Sequence, residues 1–270
     1  MTSDIYYPAG EMEKLFIKSI WRLSESDLHH RTEMILPKGT VEIIFNFSDP
    51  INYINPSQQI SKKLSAVFIN GINFKPFELI KTGRQDFLGL QLSGAGLKLL
   101  FNIPAKEFNN RVYEGIKVCP SLDALLYELY SKQSFSEQVE MLLKWIRRKV
   151  YAMNQENSIS RVQKLMCLNF YPGLTVKKLS DKICLSDRQL RRFCSDWTGM
   201  TTEEFILYNK YLTSLHLLHN TNLTLTEAGL KAGYYDQSHF IREFKSYTDM
   251  TPKEYTRASK GIPGHIYCIH

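Results

Sequence analysis

Shifting the chain by 50 residues lays "SDRQLRRFCSDWTGMTTEEF" (186–205) over "DQSHFIREFKSYTDMTPKEY" (236–255). Arg192 falls on Arg242, Thr198 on Thr248, Met200 on Met250, Thr201 on Thr251 and Glu204 on Glu254, while Trp197 meets Tyr247 and Phe205 meets Tyr255. A chain that carries one supersecondary unit twice must fold it twice. A single pair falls short of the three or so repeats a solenoid needs, so the duplication belongs inside one compact helical domain.

Each copy reads as a helix with two unlike faces. In the first, Ser186 is the N-cap and Gln189 its capping-box partner. Leu190, Phe193, Cys194 and Trp197 then recur at i, i+3, i+4 and i+7, which leaves Arg188, Arg191, Arg192 and Ser195 on the other side. Gly199 ends the helix as a C-terminal cap. Before it, Val176, Leu179 and Ile183 form the buried side of a shorter helix, giving helix, tight turn, helix. In the second copy Asp236 caps, Phe240, Phe244 and Tyr247 point inward, and Ser238, His239, Ile241, Arg242 and Lys245 point out. Cys194 lies on the inward stripe and reads as a small core hydrophobe rather than a redox sensor.

Residues 160–258 resemble the DNA-binding domain of the AraC/XylS family of bacterial transcription regulators, above all in "GYYDQSHFIREFKSYTDMTPKEY" (233–255). The resemblance implies two helix-turn-helix units joined by a long helix, here "EEFILYNKYLTSLHLLHN" (203–220), in a seven-helix domain. It assigns DNA binding to Arg188, Arg191 and Arg192 in the first recognition helix and to Gln237, Ser238, His239 and Arg242 in the second. Arg can bridge guanine O6 and N7 in a major groove, whereas Gln, Ser and His suit adenine edges or phosphates. Three departures from the family pattern stand out: Asp249 at the usual helix-ending Gly, Cys194 for Phe, and Ala228-Gly229 for Ile-Ala. Gly229 costs about 1 kcal/mol of helix propensity, which predicts a looser second unit.

The first half has a different texture. Val41, Ile43, Phe45 and Phe47 alternate with Glu42 and Asn46 after a Pro37–Gly39 turn, the period of a strand, and Ile44 suggests that both faces are covered. Two further stretches, 65–80 and 86–96, repeat the habit. Helical spacing follows at 95–100 and in two closing helices, with Leu122, Leu125, Leu126 and Leu129, then Val139, Leu142, Leu143 and Ile146, on their buried sides; Ser121 and Ser136 are their expected caps. The prediction is an α+β chain of two domains: a β-rich, barrel-like one over 1–153, a linker over 154–160, and an all-α one over 161–270. "LPKGTVEIIFNFS" resembles a strand motif in one branch of this family's sensing domains, which implies a sensing or dimerising role. The residues show no converging polar cluster that singles out a ligand, and Trp21, Phe45, Phe47, Phe68 and Phe74 read as core.

Composition narrows the function classes. Of a net charge of +7, five surplus charges fall in 158–270, which suits an anionic partner there. Five scattered cysteines argue against a disulfide framework and for a reducing compartment. His29 and His30 point to opposite faces of a strand, against a shared metal site. No apolar run reaches a membrane span and no signal peptide opens the chain, so the cytoplasm is expected. A DNA-repair methyltransferase would need clustered cysteines, and residues 1–157 hold only Cys119. The expectation is therefore a sequence-specific regulator and not an enzyme, with no cofactor. Double-stranded promoter DNA is its partner; RNA polymerase (for an activator), a small-molecule effector and a homodimer partner are the others the resemblance implies. The alternative is a module that binds DNA or protein without reading sequence.

Overall fold

The computed structural model describes residues 2–93, 96–151, 174–259 and 261–268. The expected linker, 154–160, lies outside them, as do residues 160–173, where the seventh helix of the C-terminal domain would fall.

In chain order the strands are β1 (Thr2–Tyr6), β2 (Ile17–Ile35), β3 (Val41–Asn46), β4 (Asn52–Asn55), β5 (Ile60–Lys63), β6 (Val67–Asn70), β7 (Phe77–Leu92), β8 (Val112–Glu114) and β9 (His265–Cys268). The spine is the antiparallel pair β2 and β7, whose register shifts between Glu25 and Arg31 bend the ribbon. Each long strand is flanked by two short ones: β2 by β1 and β9, β7 by β3 and β4. The resulting sheet runs β1-β2-β7-β3-β6-β8 and curls without joining its ends.

Both faces of the curled sheet are apolar, for the reason visible in β3. Val41, Ile43 and Phe45 are fully buried and join the core that also holds Leu122, Leu142 and Ile146, while Ile44 packs with Ile35, Tyr53, Phe68, Phe77 and Phe87 on the other face. The closing helices are α4 (Ser121–Tyr130) and α5 (Phe135–Tyr151), preceded by α1 (Glu11–Phe16), α2 (Gly96–Phe101) and α3 (Gly115–Val118). Neither expected cap holds. Ser121 is the first residue of α4 and its hydroxyl instead accepts a bond from Trp145 Nε1 at 3.3 Å. Ser134 caps α5, accepting from the Glu137 amide at 3.2 Å while Glu137 Oε2 accepts from the Ser134 amide at 3.0 Å. Two competing serines lie two residues apart, and the one with Glu three positions on prevails.

The C-terminal half contains α6 (Val176–Ile183), α7 (Asp187–Thr198), α8 (Thr202–Asn220), α9 (Leu225–Lys231), α10 (Gln237–Thr248) and α11 (Pro252–Ala258). The helices α7 and α10 have identical lengths and sit 50 residues apart, as the repeat requires. Capping boxes recur in register at Thr201/Glu204 and Thr251/Glu254. The sequence division at 160 counts the chain end with the helices, whereas residues 265–268 pair with Thr32–Ile35 of β2 and bury Ile266 in the common core. Four residues are too few to announce a strand in sequence, and the unpaired edge of β2 supplies the reason one forms. No helix among the described residues is long and apolar enough to cross a membrane.

Candidate nucleic-acid interface

The first unit is built as its pattern dictates. Ser186 and Gln189 form the capping box at the start of α7, and Gly199 closes it in the left-handed region at φ 72°. Leu190 and Cys194 are fully buried and Trp197 nearly so. Burial pushes the Cys194 thiol up to about 11, so it stays protonated and inert at neutral pH. Arg188, Arg191 and Arg192 are exposed together on the opposite face. Arg191 and Arg192 share a shallow groove with Ser195, Asp196, Thr201 and Glu203.

The second unit presents a thinner charged face. Asp236 accepts from the His239 amide at 2.7 Å and starts α10. Gln237, Ser238 and Arg242 are exposed, whereas His239 is half-buried with its ring edge-on to Tyr234 at 5.4 Å. Gln237 Oε1 accepts from Thr226 Oγ1 at 3.1 Å, which ties α10 to α9. The aromatic surplus of this segment lies inside: Phe240, Phe244 and Tyr255 have no exposure, and Tyr247 stacks on Tyr211 of α8 with centroids 4.7 Å apart. Tyr235 is the exception. It stands 89% exposed in the turn just before α10, where Leu185 of the first unit is buried. Helical periodicity does not mark it, since it precedes the helix; its one signal in the sequence is an aromatic in a polar turn.

Gly229 has a different meaning from the loosening its propensity predicts. A Cβ there would lie 2.9 Å from Phe240 Cδ1 and 3.0 Å from Cγ, so the missing side chain lets α9 press against the ring. The glycine marks close packing of the second unit.

Both units are fastened to the β-rich half, but unequally. At the first, Asn109 Nδ2 donates to the Gly199 carbonyl at 2.6 Å, Lys98 pairs with Asp196 at 3.4 Å, and the same ammonium lies 5.0 Å from the Trp197 ring centroid. At the second, Lys75 pairs with Asp249 at 2.8 Å across an open surface. Between them, Tyr208 of α8 donates to the Asn73 carbonyl at 2.8 Å and accepts from the Gly39 amide at 3.0 Å, and Tyr211 donates to the Pro37 carbonyl at 2.9 Å. Burial raises both phenols far above the usual tyrosine range.

The inner face of the sheet, together with Leu212 and Leu215 of α8, borders a half-open cavity of about 640 Å³. Ile35, Tyr53, Phe68, Phe77 and Phe87 line its floor while belonging to the core of that face, and Trp21, packed against the same core, also borders the cavity. Its polar end is a converging cluster that the sequence did not show. Glu33 Oε1 and His265 Nδ1 are 2.6 Å apart, His265 Nε2 and Lys38 Nζ 3.0 Å, and Lys81 bonds the other Glu33 oxygen. Burial, reinforced by the charge of Lys38, lowers His265 to about 4, so the neutral ring donates from Nδ1 to Glu33 and accepts at Nε2 from Lys38. Burial alone would raise Glu33, but the His265 hydrogen bond and the Lys81 charge outweigh it and hold the carboxyl well below its ordinary range. Lys18, exposed and donating to the Gly39 carbonyl at 3.3 Å, also borders the cavity. The cluster's members are up to 232 residues apart, so no local sequence pattern marks them.

Known proteins resemble the chain in two blocks. A family described as a helix-turn-helix domain matches residues 179–258, and a domain of unknown function matches residues 6–114. The HTH-type transcriptional activator RhaS of Escherichia coli is 25% identical over 124 residues, which make up 45% of this chain and 45% of that relative, so the match spans about half the relative's length. A structure of ToxT from Vibrio cholerae aligns over 96% of this chain and 99% of that one at 13% identity and a TM-score of 0.51. A second ToxT structure, described as bound to an unsaturated fatty acid, aligns over 89% and 95% at 12% identity and a TM-score of 0.50.

Proposed function

We propose, on the premise that this chain belongs to the AraC/XylS family of transcription regulators, that it reads promoter DNA with α7 and α10 in successive major grooves under the control of a small-molecule effector held in the sheet cavity. One observation carries the DNA reading: the duplicated unit repeats its fold 50 residues on, with exposed Arg188, Arg191 and Arg192 on the first copy and exposed Arg242 on the second. Helices so joined would contact one DNA face about one turn apart, roughly 34 Å. Gln237 and Ser238 take adenine edges or phosphates, and His239, held against Tyr234, contributes from the margin. Tyr235 extends the second unit's contact to the backbone. An activator of this kind also touches RNA polymerase, a homodimer would double the operator, and such a reader works in the cytoplasm where the promoter is.

The effector reading rests on the cavity. Its floor is apolar, while Lys18, Lys38 and Lys81 outnumber Glu33 and Glu42 at its polar end with His265 neutral. An apolar compound with one acidic group fits that arrangement, as the ligand of the ToxT structure would. The competing reading is a module that holds any duplex through its positive charge. Fragments enriched from a random DNA library by the protein separate the two. The regulator binds its enriched sites at least about a thousandfold tighter than scrambled duplex at equal salt, whereas comparable affinity for both would leave only the nonspecific binder.

A further inference from the structure

The repeat makes Gly199 and Asp249 equivalent: each is the left-handed residue that ends its recognition helix, at φ 72° and 58°. The β-rich half grips both of these points, Asn109 taking the Gly199 carbonyl and Lys75 the Asp249 carboxylate. The gripping residues share one platform. The Asn110 amide donates to the Ile72 carbonyl at 2.8 Å, Asn110 Oδ1 accepts from the Phe74 amide at 2.7 Å, and the Gly71 amide donates to the Arg111 carbonyl at 3.0 Å. The platform meets α8 as well, through Asn73 and Tyr208, with the Phe74 and Tyr208 rings edge to face at 5.2 Å. Three points therefore connect it to the helical half: the end of α7, the middle of α8 and the end of α10. The arrangement also accounts for the aspartate. A left-handed cap favours glycine, and the residue that forgoes that preference is the one whose carboxylate reaches Lys75.

We propose that the platform, residues 71–76 and 105–111, is a spacing gauge: with Asn109 and Lys75 as positioning residues, it sets the separation and relative angle of the two recognition helices and so the half-site spacing the protein accepts. This rests on the tandem reading proposed above. The long helix begins at Thr202, just after Gly199, and meets α10 where Tyr211 stacks on Tyr247; the platform adds one common body that holds the C-terminal ends of both recognition helices.

The test uses the full chain and a series of operators, enriched by the wild-type protein and then altered by inserting or deleting one or two base pairs between the half-sites. Asp249→Gly is the informative variant, because glycine suits the left-handed cap and the fold keeps or gains thermal stability while the grip is lost. The expected result is affinity for the optimal operator within about twofold of wild type, together with a roughly two- to fivefold smaller penalty for a one-base-pair change, the range an exposed ion pair can account for. The exchange Lys75→Asp with Asp249→Lys restores the sharp profile. Asn109→Ala broadens it further, since its bond at the first unit is the better shielded. A spacing profile for D249G and N109A indistinguishable from a sharp wild-type profile overturns the gauge and leaves the tandem reading intact. A wild-type profile indifferent to spacing removes the tandem reading and the gauge with it.

Discussion

Position 199 holds glycine and position 249, its counterpart one repeat later, holds aspartate, and the surroundings of the two differ as much as the residues do. The Gly199 backbone presses so closely on the platform that a Cβ would sit 2.6 Å from Asn109 Nδ2 and 2.8 Å from the Lys106 backbone nitrogen. The counterpart site is open, its ion pair exposed at 42% and 65%. The first unit also carries three outward arginines against one in the second. Duplication thus preserved the helical frame, the caps and the internal rings while attachment and charge diverged. The first unit is firmly anchored and strongly charged; the second is lightly held, and a further link to the β-rich half is the tail that runs from α11 to β9.

The largest effect expected of this asymmetry is on DNA affinity. Replacing Arg188 and Arg192 together by Ala costs about 1 to 3 kcal/mol for each lost guanine contact, against at most one such loss for Arg242→Ala. Titration of an enriched operator with both variants ranks the units, and a greater loss from R242A would invert the ranking.

Acid should loosen the second unit's tether first. His265 titrates at about 4 in the folded chain and near its ordinary 6.5 when unfolded, so the unfolded state binds the extra proton between those values. Stability from this site is present above about pH 6.5 and is lost as pH falls toward 4, at most about 3 kcal/mol in all. Glu33, also depressed, gives way at still lower pH in the same direction. Hydrogen exchange at pH 7.5 and pH 5 should show protection falling at 252–258 and 265–268 before 187–198; equal loss in both would remove the asymmetry.

Opposite signs are expected for two swaps at the repeat-equivalent caps. Gly199→Ala forces a Cβ into left-handed backbone and into the platform, costing about 2 kcal/mol or more. Asp249→Gly relieves the cap and forfeits one exposed ion pair, for a net gain of about 0 to 1 kcal/mol. Denaturant unfolding of the two variants side by side reads both, and the same sign in each would mean that the attachments do not differ as described.

What was legible in the sequence follows the range of the forces involved. Ser186, Gln189, Gly199 and the inward rings act over three or four residues, so periodicity and cap chemistry announced them. The strand of Val41, Ile43 and Phe45 was legible for the same reason, with Ile44 correctly marking a second covered face. Contacts between distant residues left no such trace. Glu33, Lys38, Lys81 and His265 meet only once β2, β7 and β9 are paired, and β9 itself exists because β2 offers an edge. Gly229 shows a subtler limit: propensity priced it as a weak point, and the Phe240 ring lying against it turns the same residue into a packing requirement.

The most direct measurement of the central claim is guanine-methylation interference on an enriched operator, since a methyl group at N7 blocks the contact an arginine makes in the major groove. Two clusters of interfering guanines about one helical turn apart on one face, the stronger beneath the three-arginine unit, are the predicted outcome. A tight complex with interference at a single cluster, or at none, would contradict tandem reading by the two helices.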